Sequence, residues 1–228
     1  MRSGYLKLFN KGEVQMIFQD NVIKEYLKNV YFITGTPCGG KTTISRALAK
    51  KYGFVVYDID EQFSKHQQMS NVKFQPSMNK KFKNADEFFN RTVEEYKKWL
   101  IDNTREQLDF VLLDLIQISQ KQVVLCDCHL TVEEADRLTD LARVVFLIKD
   151  PANLVDDYCN RIDHQDFSKF INSTTNVEKA KLTCNTTLKE INVERCRQIK
   201  NSQYFWLERN DNSTLEETIY KVEQHFRW

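Results

Sequence analysis

Gly35-Thr36-Pro37-Cys38-Gly39-Gly40-Lys41-Thr42 fits the phosphate-binding pattern G-x-x-x-x-G-K-[ST], and what surrounds it decides the fold. Upstream, Val30-Tyr31-Phe32-Ile33 is a short apolar run of strand type. Downstream, Ile44, Ala47 and Leu48 recur at helical spacing, so the segment reads strand, glycine turn, helix. Three of the chain's six glycines fall within it. A glycine-rich turn lets successive backbone N–H groups approach phosphate oxygens, and the helix starting at its end adds unpaired N–H groups and the positive end of its dipole. In that arrangement Lys41 reaches the β- and γ-phosphates as a point charge, and Thr42 offers its hydroxyl to Mg²⁺. The pattern predicts a nucleoside triphosphate site.

A chain of 228 residues suits one α/β domain with an inserted helical part. The formal net charge is +1, so no global basic field points to nucleic acid or to a membrane surface. Six cysteines form no paired C-x-x-C units. Cys126 and Cys128, two apart in an apolar run, are expected on one face of a strand as buried free thiols rather than as a metal site. No apolar stretch of signal-peptide length opens the chain and no run of eighteen apolar residues occurs, so a reducing cytoplasm is the default expectation.

Working outward, residues 1–29 read as an N-terminal extension, with Val22, Ile23, Tyr26 and Leu27 suggesting a short helix before the first strand. Phe54-Val55-Val56-Tyr57 predicts a second strand ending at Asp58, and Gly53 is placed to stop the preceding helix. Residues 60–82 read as polar and irregular. From Asn84 the spacing of Phe88, Phe89, Val93, Tyr96 and Leu100 is helical. Thr104 with Gln107 predicts a capping box for another helix through Leu108, Leu112 and Leu115. Residues of about 62–120 thus form a helical insertion, placed where a second substrate could bind.

Gln122-Val123-Val124-Leu125-Cys126 predicts a third strand ending at Asp127, Thr131 with Glu134 caps a helix through Ala135, Leu138 and Leu141, and Val144 to Ile148 is a fourth strand. Asp150 and Pro151 suit the N-cap and first position of a helix carrying Leu154, Val155, Tyr158 and Ile162. The polar stretch from Asp163 to Asn176 breaks the pattern, and a helix follows to about Asn201. Tyr204-Phe205-Trp206-Leu207 predicts a fifth strand, and Ser213 with Glu216 caps a last helix bearing Leu215, Ile219, Val222 and Phe226.

Apolar strands alternating with amphipathic helices imply a mostly parallel sheet covered on both faces, where ligands gather at the carboxyl ends of strands. Asp58, Asp127 and the glycine turn all fall at such ends, which makes them one site. Asp127 is placed to hold Mg²⁺; the plainer alternative is an Asp that begins the next loop. Asp58 is placed to orient an acceptor hydroxyl, and Asp60 serves the acceptor or simply caps a helix. Arg161 ends a helix beside the polar stretch and could deliver a guanidinium to phosphoryl oxygens, or suit the negative end of the helix dipole. Arg195 and Arg197 lie on different faces of one helix, so at most one points inward. Arg91 is a candidate contact for an anionic substrate, a surface role being the alternative. His129 is either a site residue or a strand-end side chain.

The stretch from Gly35 to Ala49, followed by Tyr57-Asp58-Ile59-Asp60-Glu61, resembles the P-loop small-molecule kinases, the superfamily that includes nucleoside monophosphate kinases and shikimate kinase. The resemblance implies a three-layer α/β/α P-loop NTPase fold over residues 30–228, with a mostly five-stranded parallel sheet, the helical substrate-binding insertion and a lid at about 161–176. It implies ATP and Mg²⁺ as cofactors. Nucleotide contacts would come from Gly35, Thr36, Pro37, Cys38, Gly39, Gly40, Lys41, Thr42 and Thr43, metal contacts from Thr42 and Asp127, and acceptor contacts from Asp58 and Asp60. Arg161 falls where a lid arginine is expected, and the Arg209-to-Asn212 loop where the family cradles adenine. Asp127-Cys128-His129 replaces the glycine triplet of shikimate kinases and the insertion is longer than theirs, so the resemblance points away from shikimate as acceptor.

The expected function is transfer of the ATP γ-phosphoryl group to a nucleotide, nucleoside or other hydroxyl metabolite, with Lys41, Asp58 and Arg161 as the catalytic set. A nucleotide-binding protein that acts through partners without efficient transfer is the alternative, because the motif marks binding rather than turnover. A polynucleotide 5′-kinase should show a basic stripe, and the near-neutral charge argues against it. The later strands carry no N-K-x-D guanine signature, and an AAA-type motor would need further arginine-bearing modules and a larger chain.

Overall fold

The computed structural model describes residues 18–151, 165–210 and 213–228. In it, β1 (Val30–Gly35), β2 (Val55–Asp58), β3 (Val124–Asp127), β4 (Val144–Lys149) and β5 (Trp206–Arg209) form one parallel sheet in the order β2-β3-β1-β4-β5. The α/β/α architecture expected from the sequence is the one observed. Register sets Asp58 and Ile33 both opposite Asp127, so β2 and β3 end level with one another while β1 runs on to Gly35 at the start of the glycine loop.

The central strands are apolar at nearly every position because each face has its own helical cover. Phe32, Cys126, Val144 and Phe146 point to the side covered by α5 (Val93–Ser119), α6 (Val132–Leu138) and α8 (Val177–Lys200). Ile33, Leu125, Val145 and Leu147 point to the side covered by α2 (Lys41–Tyr52) and α9 (Leu215–Phe226). A third apolar cluster contains no strand residue. It joins α4 (Ala85–Phe89), the start of α5, α7 (Gln165–Asn172) and α8 through Phe89, Tyr96, Ile171 and Ala180. Cys126 and Cys128 are free, buried thiols in the sheet core, and burial pushes the Cys126 thiol up.

Several elements differ from the sequence reading. Residues expected to be irregular form α3 (Ile59–Met69), which Asp58 caps by accepting from the Asp60 amide at 3.0 Å; Ile59 and a buried His66 supply its inner face. The expected Thr104–Gln107 capping box is absent because α5 is one helix of 27 residues, opened instead by a box between Thr92 and Glu95. Thr104 donates to the Leu100 carbonyl inside that helix. The α6 helix opens with the expected Thr131–Glu134 box but ends at Leu138, leaving Leu141 in a separate 3₁₀ turn.

The polar stretch after Asp163 contains helix α7, whose Phe167 and Ile171 face the third cluster. Strand β5 starts two residues later than expected; Tyr204 instead donates its hydroxyl to Asp136 at 2.7 Å. The last helix is capped by Thr214 and Glu217 rather than Ser213 and Glu216, a shift that leaves Val222 and Phe226 buried. The short helix α1 (Asp20–Tyr26) and the αL Gly53 that ends α2 are as expected. Residues 1–17, the helix expected after Asp150-Pro151 together with Arg161, and Asp211-Asn212 lie outside the described residues. Among the described residues no helix is long and apolar enough to cross a membrane.

Candidate active site

The loop between β1 and α2 is built against the backbone of β4. Thr36 donates its amide to the Leu147 carbonyl at 3.0 Å and accepts the Lys149 amide on its hydroxyl at 2.8 Å. This contact explains two of the glycines: a Cβ at Gly35 would stand 2.0 Å from the Leu147 oxygen, and one at Gly39 2.3 Å from it. Pro37 and Cys38 form the outer turn, where Cys38 has φ 59°, a left-handed conformation uncommon for a side-chain-bearing residue. Gly40, at φ 93°, caps α2, whose first amides are left without a side-chain partner. The loop is therefore an amide-lined concavity at a helix N-terminus, fitted to anionic oxygens.

Lys41 is buried and folds across the loop, its ammonium donating to the Thr36 carbonyl at 3.1 Å. Burial pulls its pKa down, opposed by the charges of Asp127, Asp60 and Cys128, while Arg195 depresses it further. Phosphate groups in the loop would add to the negative charge that opposes the burial of this cation. One residue on, Thr42 donates its hydroxyl to Asp127 Oδ2 at 2.6 Å. Asp127 is buried at the end of β3, and Asp58 stands opposite it on β2. Burial, then the nearby charge of Asp127, raises the pKa of Asp58, against the hydrogen bond from the Asp60 amide. Asp60 is exposed, with its carboxylate 3.7 Å from His129 Nε2.

Lys41, Thr42, Asp58 and Asp127 thus gather at the strand ends, with Asp60 and His129 on the rim. Arg91 is elsewhere. Its guanidinium carbon lies 4.5 to 4.8 Å from the ring centroids of Phe82, Phe88, Tyr96 and Trp99, and its Nε donates to the Phe88 carbonyl at 2.7 Å. Arg161 lies outside the described residues. Of the other pair, Arg197 is bound to Glu194 on the exposed side of α8 at 2.6 Å, whereas Arg195 turns inward near Cys128 and Glu134, and burial lowers its pKa. The i,i+3 spacing of Glu194 and Arg197 is the sequence signal that could have identified Arg195 as the inward one.

Two cavities adjoin these residues. One of about 140 Å³ lies between the loop and the start of α9, lined by Gly39, Gly40, Thr43, Leu207, Arg209 and Thr214. Arg209 also donates to the Cys38 carbonyl at 3.2 Å, tying β5 to the loop. The other, about 590 Å³, opens between α5, α6 and α8 and is lined by Arg105, Thr131, Asp136 and Arg195 among others.

A family profile described as an AAA domain matches residues 32–178, from within β1 to the first turn of α8. No curated protein sequence matches the chain significantly. Solved structures similar to it include shikimate kinase from Bacteroides thetaiotaomicron, at 15% identity and a TM-score of 0.47, spanning 87% of this chain and 98% of that one. Shikimate kinase from Aquifex aeolicus is similar at 16% identity and a TM-score of 0.42, over 87% and 96% of the two chains. Dephospho-CoA kinase from Campylobacter jejuni is similar at 18% identity and a TM-score of 0.43, over 87% and 97%. With a glycine loop between the first strand and first covering helix of a five-stranded parallel sheet and a family match over most of its length, the chain belongs to the AAA domain family.

Proposed function

We propose that the chain is an ATP-dependent kinase that transfers the γ-phosphoryl group to a small-molecule acceptor. The observation that carries this reading is the pair Thr42 and Asp127, whose side-chain oxygens lie 2.6 Å apart, with Asp58 level on the adjacent strand. A hydroxyl at a helix start and a carboxylate at a strand end are hard oxygen donors that suit Mg²⁺, and their mutual hydrogen bond holds the two side by side. When bound, Mg²⁺ supplies neutralisation of the charge shared by the β- and γ-phosphates.

The chain's own groups take the remaining tasks. Amides of Gly40 and the first turn of α2 hold phosphate oxygens, and Lys41 balances their charge. The cavity beside Thr43 and Arg209 receives the nucleoside. Asp58 accepts the proton of the acceptor hydroxyl as its oxygen bonds to phosphorus and ADP leaves, a task for which a raised pKa is suited. Asp60 and His129 border the acceptor. Arg161, in the lid expected at about 161–176, and Arg195 of α8, whose charge acts on Lys41, take the equatorial phosphoryl oxygens in this reading. The buried thiols of Cys126, Cys128 and Cys196 suit a reducing cytoplasm.

Calorimetric titration with Mg·ATP, followed by ADP release measured across pools of nucleosides, nucleotides, sugars and oligonucleotides, tests the reading. Saturable binding and release that depends on a small acceptor are expected. Binding without turnover on any pool would instead mark a nucleotide-binding protein that acts through partners, and transfer confined to oligonucleotide ends a polynucleotide kinase. Absence of any heat with Mg·ATP would remove the reading altogether.

A further inference from the structure

The peptide that carries Asp58 is tied on both sides to one helix. On its N-terminal side, the Tyr57 hydroxyl donates to Asp114 Oδ2 at 3.0 Å. On its C-terminal side, the Ile59 carbonyl accepts from Gln107 Nε2 at 2.9 Å. Gln107 and Asp114 are two turns apart on the same face of α5. His66, buried on α3, closes the circuit, with Nδ1 3.2 Å from Gln107 Nε2 and Nε2 3.1 Å from Asp114 Oδ2. Lys65 covers the same carboxylate from outside at 2.8 Å, and the Phe110 ring stacks on the imidazole with centroids 5.5 Å apart.

The hydrogen bonds have only one consistent set of directions. Facing the Ile59 carbonyl, Gln107 must present its NH₂ group, because its own oxygen there would oppose another acceptor. The second proton of that NH₂ then points at Nδ1, which must be the unprotonated, accepting nitrogen. The proton of the neutral ring is on Nε2 and is donated to Asp114. Burial works against the charge of Asp114, but hydrogen bonds from Lys65, His66 and Tyr57 hold its pKa below the usual carboxylate range. An apolar plug of similar volume would fill this space without desolvating a carboxylate, so the polar set is better explained by the geometry it imposes.

We propose that Gln107, His66 and Asp114 are positioning residues that clamp the Asp58 turn to α5, so that the carboxylate of Asp58 is held in line with the phosphate loop. The functional half of this statement rests on the phosphotransfer reading of Asp58; the clamp itself does not. Because reaction rates respond steeply to small misplacements, loosening the turn acts on turnover and leaves the nucleotide loop untouched.

Three measurements on the full chain test it. Nitrogen NMR should find His66 neutral and protonated on Nε2 in the wild type; a proton on Nδ1 would overturn the hydrogen-bond assignment and the clamp with it. In Gln107→Leu and in the equal-sized Gln107→Glu, amide exchange over residues 57–62 should rise by roughly tenfold or more while the loop over 35–42 keeps its wild-type protection. Wild-type exchange at 57–62 in a folded variant overturns the proposal. Where an acceptor supports turnover, kcat should fall by roughly ten- to a hundredfold with Mg·ATP affinity within about twofold of wild type; a parallel loss of both would show a general structural role instead. Phe110→Leu, which trims the stacked ring but none of the hydrogen bonds, should lower thermal stability without either change. Should no acceptor support turnover, the phosphotransfer reading falls, and the tautomer and exchange measurements still decide whether the clamp exists.

Discussion

At the scale of single residues, the phosphate loop is determined by what has no room to be there. A methyl group on Gly39 would meet the Leu147 carbonyl at 2.3 Å, and that oxygen belongs to the central sheet and cannot yield. Gly39→Ala is expected to shift the loop and weaken Mg·ATP binding by roughly tenfold or more, read by calorimetry, with the thermal transition preserved. Lys41→Met should abolish nearly all transfer with the fold retained; undiminished turnover would refute the role given to Lys41. Asp58 yields a pH prediction with a definite sign. Burial and the charge of Asp127 raise its pKa, so the native chain holds this proton at pH values where the unfolded chain has released it. Stability therefore falls as pH rises from the ordinary aspartate range to the raised value. A carboxyl ¹³C titration should place Asp58 above an unperturbed aspartate and move it back down in Asp127→Asn. The glycine turn with Lys41 and Thr42 was legible from spacing alone, because a motif fixes its own geometry, and the position of Asp127 was legible as the end of an apolar strand. The inward turn of Arg195 was legible only indirectly, through the Glu194–Arg197 pair that marks the opposite side of the helix as exposed.

At the scale of elements, polar composition conceals helices whose inner face is polar or aromatic. The α3 helix buries Ile59 and His66, and α7 is anchored by Phe167 and Ile171, so neither shows the aliphatic period from which helices are usually read. Within α5, Thr104 and Gln107 have the spacing of a capping box, but a box acts only where the chain enters a helix, and there Gln107 is turned to the Ile59 carbonyl. Arg91 is held in the same insertion by four aromatic rings, with the two terminal nitrogens of its guanidinium buried and without hydrogen-bond partners. A lysine offers a compact, strongly hydrated charge in place of a planar one that stacks on rings. Arg91→Lys should therefore cost about 1–2 kcal/mol, seen as a lower thermal midpoint, with the acceptor KM unchanged. A raised acceptor KM at unchanged stability would return Arg91 to the acceptor site.

At the scale of the whole molecule, two apolar layers close on the sheet, and α9 secures one of them to the start of β4. His225 accomplishes part of this through Nε2, 2.9 Å from the Val144 carbonyl, with its ring stacked on Phe205. Burial lowers its pKa below 6.5, only partly offset by the carbonyls of Val144 and Leu141. The unfolded chain thus binds this proton more readily than the native one, so the contribution is complete above the unfolded value and is lost as pH falls through the lower native one. Thermal midpoints should drop on acidification below about pH 6.5, and His225→Gln, which keeps a donor, should flatten that dependence. By itself the sequence determined the alternating α/β order, the phosphate loop and the carboxylates at the ends of β2 and β3, because each is encoded in residues close together along the chain. Only the tertiary structure decided that Thr42 meets Asp127, that α5 grips the Asp58 turn and that Arg91 sits among rings. Those contacts join residues far apart in sequence, and only packing around a common core sets the distances between them.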